Sequence, residues 1–230
     1  MFVVPNDFLL FCLCAPLALQ MYATTESRYA ASLSCIYLSF TAIVAVVIES
    51  RSAILLLFLA FVLRGYHKPQ SCMTKALLVG ASTMSVVFAT GFDKPLTGFT
   101  MRIELWWITI DLSSLRPFFG LGPGNFGAYY SLHPLQVHAA DHRQMDWPHN
   151  VFLETLFEQG MIGLLILLAL FFIAIRSAKH RGSSSQWNLD SLILFALAGA
   201  IELSLNRPWV PAAFLLLSSY AFREPRRKGE

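Results

Sequence analysis

Long charge-free apolar stretches alternate along this chain with short connections that hold nearly all of its charge. A bilayer core asks for about 20 apolar residues per crossing, with shorter spans tolerated by thinning or snorkelling. On that measure the pattern predicts seven transmembrane helices, at residues 8–23, 32–49, 52–66, 75–91, 158–176, 189–205 and 208–222. The first is read as a span and not as a signal peptide. Asn6-Asp7 leaves no basic region ahead of it, and the chain keeps returning to apolar stretches afterwards. The fold class expected is an all-α polytopic integral membrane protein with one long extracytoplasmic loop.

Composition strengthens that expectation. Apolar residues make up 56% of the chain and charged residues 13%, where soluble domains carry about a quarter; the mean hydropathy is +0.56. Intrinsic disorder, a disulfide-stapled secreted fold and a soluble nucleic-acid binder are all excluded by this balance. Cys12, Cys14, Cys35 and Cys72 lie in or beside apolar segments without metal-ligand spacing, and read as small buried hydrophobes. The basic residues set the orientation. Arg64, His67, Lys68 and Lys75 share one connection, Arg176, Lys179, His180 and Arg181 another, and Arg223, Arg226, Arg227 and Lys228 the tail. With seven spans all three clusters fall on one side, which the positive-inside rule makes cytoplasmic. The expected divisions are therefore four helices in residues 1–91, a periplasmic loop in 92–157, and three helices with a basic tail in 158–230.

The loop is too long for a passive connection, and such loops are usually functional. It holds Trp106, Trp107 and Trp147, three of the five tryptophans. Residues 101–114, MRIELWWITIDLSS, read as an amphipathic helix at the membrane interface. Two arginines on the outer side invite an anionic partner. Arg51 sits at the lip of two apolar helices, where snorkelling or pairing with Glu49 competes with binding an anion. Arg102 precedes aromatics; it is either an interfacial cation or a planar fork for phosphate oxygens. The run PFFGLGPGNFG at residues 117–127 packs four glycines and two prolines into a shaped connector. It lacks the Lys-Ser/Thr ending of a phosphate loop.

His149 is the histidine most firmly placed, between Pro148 and Asn150, a residue suited to capping the next helix. An imidazole there is a natural proton acceptor. A metal site from His138, His142 and His149, with Asp141 or Asp146, fits no recognised ligand spacing. Glu154 and Glu158 follow at i,i+4 on one helix face, and the helix dipole near its start offsets part of their repulsion. Gly160 and Gly163 offer a small surface for close helix contact.

Taken in order, Ser50-Arg51, Arg102-Ile103-Glu104-Leu105-Trp106, the PFFGLGPGNF of residues 117–126, and His149-Asn150 running through Leu153-Glu154, Glu158, Gly160 and Gly163 resemble the C-terminal half of the O-antigen ligase and polymerase superfamily. Pro5-Asn6-Asp7 is similar to the PND that opens a span in such proteins, so the resemblance covers roughly residues 5–220. It implies a partial bundle of GT-C-like helices in the bacterial inner membrane, with its active side periplasmic. It also implies a donor glycan on undecaprenyl pyrophosphate and an acceptor that is lipid A–core, another lipid-linked glycan or a protein hydroxyl. No metal and no other cofactor is implied, and nucleic acid is not a partner. Carried over by position, Arg51 and Arg102 clamp the pyrophosphate and His149 is the base. Glu104, Trp106, Gly122, Gly124, Asn125, Asn150, Glu154 and Glu158 support them.

Relatives with this resemblance are longer, so the chain reads as a truncated product, a product with its start placed too late, half of a split enzyme or a short active form. The rival class is a non-catalytic membrane protein, either a transporter half or an assembly subunit. Transporters gather polar groups at the midplane, whereas here the span interiors hold little that ionises apart from Glu202.

Overall fold

A computed structural model describes residues 8–24, 27–47, 50–67, 97–133, 145–180, 186–205 and 207–222. Among the described residues every regular element is an α-helix. In chain order they are α1 (Leu9–Leu13), α2 (Ala15–Thr24), α3 (Arg28–Val47), α4 (Arg51–His67), α5 (Thr97–Ser113), α6 (Phe126–Leu132), α7 (Val151–His180), α8 (Gln186–Ile201) and α9 (Trp209–Phe222). The expected span at 75–91 and the basic tail lie outside the described residues. By length and composition, Arg28–Ala45 and Val151–His180 are able to cross a membrane, and α4, α8 and α9 are shorter apolar helices.

Where the sequence suggested one span at 8–23, the chain forms two helices that break at Cys14. Pro16 accounts for the break. It has no N–H to donate, and its ring crowds the carbonyl four residues back.

The chain divides into two compact units. One takes in residues 1–94 with Ala174–Ala198 and Ala213–Glu230. Within it, side-chain hydrogen bonds tie the helices to one another. Ser191 Oγ donates to the Leu13 carbonyl at 2.9 Å, Asn188 Nδ2 to the Leu217 carbonyl at 3.0 Å, and the Trp187 N–H to Gln20 Oε1 at 3.1 Å. The Leu13 bond meets the α1–α2 break, where an orphaned carbonyl would otherwise cost free energy.

The other unit is Pro95–Ile173 with Gly199–Ala212, and it carries the candidate site. Its core joins α5, α6 and the start of α7 through Leu105, Ile108, Leu112, Phe126, Tyr130 and Phe157. Leu105, Ile108 and Leu112 recur at helical spacing on one face of α5. Trp107 and Ile110 stand exposed with Glu104 and Asp111 on the other side of the same helix, so the helix expected at residues 101–114 is present but its outer face is as apolar as it is polar, and the amphipathic reading is corrected. Phe126 meets Phe157 edge-to-face with ring centroids 5.3 Å apart, fixing the end of the glycine-rich loop against α7.

Candidate functional site

The glycine-rich loop and α7 meet at a backbone crossing. α7 is interrupted at Gly160, whose φ of 71° and ψ of −168° are not helical. An interruption orphans carbonyls at the end of one helical segment and N–H groups at the start of the next, and the loop supplies both sets of partners. The Leu121 and Gly122 N–H groups donate to the Phe157 and Glu158 carbonyls at 2.8 and 3.0 Å. The Met161 and Ile162 N–H groups donate to the Pro117 and Phe118 carbonyls at 2.7 and 3.3 Å.

Contact this close leaves no room for side chains at the crossing. A Cβ on Gly160 would fall inside the Phe118 backbone, and one on Gly120 inside the Glu158 backbone. Gly160 is thus a break built for a passing loop, which corrects its reading as part of a small surface for close helix contact. Glu158 locks the same loop from its side chain, Oε1 accepting the Gly124 N–H at 2.8 Å. Asn125 closes the turn by donating from Nδ2 to the Leu121 carbonyl at 2.8 Å.

A second constellation forms where α7 begins. Asn150 Oδ1 accepts the N–H groups of Phe152 and Leu153 at 3.0 and 3.1 Å, capping the helix. Its Nδ2 donates to the Ala200 carbonyl at the end of α8 at 2.9 Å. One turn on, the fully buried Glu154 accepts from Ser204 Oγ at 2.8 Å and from the Leu205 N–H at 3.0 Å. These bonds fix the segment that follows α8 beside the start of α7, and with it Glu202.

Glu202 is the centre of a charged cluster. Arg102 on α5 pairs through Nη2 with Glu202 Oε2, and its Nη1 donates to the Ile201 carbonyl at 3.2 Å. His149 Nδ1 faces the other carboxylate oxygen at 3.7 Å, too far for a hydrogen bond. That nitrogen is buried without a hydrogen-bond partner. His149 also holds a φ of 53°, the one non-glycine residue with positive φ among those described. Such a backbone is uncommon outside glycine, and it clusters where the surroundings over-determine a functional geometry. Trp106 holds the turn by donating from its indole N–H to the Pro148 carbonyl at 3.2 Å. Arg207 lies 4.8 Å from the Trp147 ring centroid, a cation–π distance, and Trp147 in turn neighbours the imidazole.

Burial pushes His149 below its ordinary imidazole value. Glu202 pulls the other way through its charge and a backbone hydrogen bond, while Arg102 and Arg207 add to the depression. The imidazole is therefore neutral near pH 7, with a lone pair free to take a proton.

The sequence-predicted residues separate into groups. Arg102, Trp106, His149 and Asn150 come together around Glu202; Gly122, Gly124, Asn125 and Glu158 belong to the crossing, and Glu154 braces the strip after α8. Glu104 is exposed on α5. Arg51 opens α4, and its side chain, like His138 and His142, lies outside the described residues. Glu202 and Arg207 were missed as site residues. The signal for Glu202 was present, a lone carboxylate inside an apolar span, but its partner Arg102 is 100 residues away along the chain.

Comparison with known proteins adds independent findings. A family model described as O-antigen ligase matches residues 36–168. The chain is similar to the exopolysaccharide production protein ExoQ of Rhizobium meliloti, 24% identical over 65% of this chain and 38% of that protein. It is also similar to the O-antigen ligase of Pseudomonas aeruginosa, 30% identical over 51% of this chain and 30% of that protein. The matches thus span about a third of the length of these curated relatives.

Proposed function

The chain belongs to the O-antigen ligase family, and we propose that it transfers a glycan from a polyprenyl pyrophosphate, undecaprenyl pyrophosphate in bacteria, to an acceptor hydroxyl at the outer face of the inner membrane. In this reading the molecule is a multi-pass protein of about seven spans, with residues 92–157 periplasmic between four earlier and three later helices. The exposed apolar residues of α7, among them Leu165, Ile166, Phe172 and Ile173, suit contact with lipid tails. The part of α7 beyond its break, residues 161–180, runs about 30 Å at helical rise, near the thickness of the hydrocarbon core.

The observation that carries the reading is the cluster itself, an imidazole held in a positive-φ turn beside the Arg102–Glu202 pair. The acceptor oxygen attacks the anomeric carbon as the bond from that carbon to the pyrophosphate oxygen breaks. The acceptor proton passes to His149, on Nε2, because Nδ1 is turned toward Glu202. Charge gathers on the departing pyrophosphate, where guanidinium groups already in contact with it stabilise it. Arg102 supplies one, and Arg51 is proposed as the other. Lipid A–core, as for a ligase, and a second lipid-linked glycan, as for a polymerase, are both acceptors this chemistry serves.

The test is transfer by the purified, lipid-reconstituted 230-residue chain, given undecaprenyl-pyrophosphate-linked glycan with each acceptor in turn. His149→Ala should lower the rate by about a hundredfold to ten-thousandfold, the usual contribution of a general base, with helical content unchanged by circular dichroism. A variant that transfers as fast as the parent chain overturns the assignment of the base.

A further inference from the structure

Three features of the charged cluster bear on whether it has a second arrangement. His149 Nδ1 is buried and unpartnered. The nearest acceptor, Glu202 Oε1, stands 3.7 Å away, about 0.9 Å beyond the length of a charge-assisted hydrogen bond. Arg102 holds the other oxygen of the same carboxylate, so turning Oε1 toward His149 draws Oε2 away from the arginine. Leaving a buried nitrogen unsatisfied costs free energy, and a small rotation of the Glu202 side chain would remove that cost. Arg102 opposes the rotation.

We propose that Glu202 is a positioning residue that couples the arrival of the pyrophosphate at Arg102 to the basicity of His149. The inference rests on the reading of Arg102 as part of the pyrophosphate clamp. With the site empty, Arg102 draws the carboxylate away from the imidazole, and His149 is a weak base. A pyrophosphate group brings more negative charge and more oxygen acceptors to the guanidinium than one carboxylate does, and displaces it. The Arg102 side chain is 28% exposed and that of Glu202 5%, so the anion has an open approach to the arginine while the carboxylate stays inside. Released, Glu202 closes on Nδ1, fixes the tautomer that presents Nε2 to the acceptor, and stabilises the imidazolium as the proton arrives.

Every charged group that bears on His149 favours the same sequence of events. Arg102 from α5 and Arg207 from the turn before α9 lower its proton affinity, and Glu202 raises it. Neutralising Arg102 while bringing Glu202 closer reverses the balance in one step. The base thus gains strength when the donor is in place, which disfavours proton uptake in an empty site and orders the reaction donor first.

The experiment is a pH titration of the His149 ring followed by NMR. It uses the full chain in lipid nanodiscs, 13C-labelled at histidine, with the His149 signal assigned by its loss in His149→Gln. The probe is inorganic pyrophosphate without added metal, and its binding is read separately from the 31P line. In the parent chain saturating pyrophosphate should raise the His149 pKa by about one unit or more. In Glu202→Gln, which keeps the shape of the side chain and removes its charge, pyrophosphate should still bind and the rise should fall to less than half.

An equal rise in both proteins means that the anion acts on His149 directly and overturns the coupling. Saturable, Arg102-dependent binding without any rise also overturns the coupling and leaves the clamp standing. Failure of pyrophosphate to bind in an Arg102-dependent way removes the clamp, and the coupling with it.

Discussion

Two regions of the same unit use backbone and charge in opposite ways. At the crossing of the glycine-rich loop with α7, four backbone hydrogen bonds and one carboxylate leave the interrupted helix with its orphan groups answered. In the cluster around Glu202, one carboxylate serves two claimants, and His149 Nδ1 goes without a partner. Both regions contain a residue in a left-handed backbone conformation, Gly160 in one and His149 in the other. At Gly160 the conformation lets two chains pass with no side chain between them. At His149 a full imidazole is forced into it, and the strain serves the aim of a titratable ring. Satisfied geometry is the mark of a scaffold; geometry left one bond short marks the place where a ligand has to change something.

The largest effect should come from breaking the scaffold. Gly160→Ala sets a Cβ into the Phe118 backbone at a φ that side chains rarely adopt. It should cost about 3 kcal/mol or more of stability, read as a drop in the thermal midpoint of the detergent-solubilised chain. Gly120→Ala should behave alike, since its Cβ meets the backbone of Glu158. If either variant melts with the parent chain, the crossing is not the fixed element described.

Asn150→Ala should cost less, about 1–2 kcal/mol, by removing a helix cap together with the bond to the Ala200 carbonyl. It sharpens the comparison because Asn150 is the scaffold part of the charged region. Its loss should loosen the strip that carries Glu202 and slow transfer as well as lower the melting point. A fall in stability with transfer unchanged would separate Asn150 from the site.

Much of this was readable in the sequence, and the remainder has identifiable causes. The helices follow apolar runs, and Leu105, Ile108 and Leu112 mark the buried face of α5 at helical spacing, although Trp107 and Ile110 on the other side keep that helix from being amphipathic. The glycines announced a tight loop. They did not announce the helix it crosses, because bonds such as Leu121 N–H to the Phe157 carbonyl use backbone atoms that every residue possesses. The α7 break was hidden for a related reason: a lone glycine after Glu158-Gln159, at the start of the span expected from residue 158, carries no local sign of the loop that crosses it. The cluster was half legible. Arg102 and His149 stood out one at a time, and Glu202 stood out as misplaced charge. What joins them is a meeting of α5, the start of α7 and the end of α8, and no local pattern encodes that meeting.

Gly124→Ala tests whether every positive-φ glycine of the loop belongs to the crossing. Gly124 has a φ of 72° but nothing within 4 Å of a built Cβ. The substitution therefore meets backbone strain alone, and should cost about 1 kcal/mol, well below Gly160→Ala in the same thermal assay. Equal losses would mean that conformation, and not close approach, sets the cost throughout the loop.

The smallest effect concerns pH, and its sign separates the two regions. Burial, reinforced by Arg102 and Arg207, holds His149 below its ordinary value in the folded chain. Between that lowered pKa and the unfolded value of about 6.5, the unfolded chain binds more protons than the folded one. The contribution of His149 to stability is therefore complete above about pH 6.5 and is lost as the pH falls through the folded pKa. His149→Gln should flatten the decline in the melting temperature between about pH 7 and about pH 5. Glu202→Gln should steepen it, because the carboxylate is what raises the proton affinity of the folded ring. The crossing has no histidine among the groups that hold it, and Gly124→Ala should shift the whole curve without changing its slope. If His149→Gln leaves the slope unchanged, the imidazole is not held neutral by its surroundings, and the contrast between a satisfied scaffold and a poised cluster loses its electrostatic half.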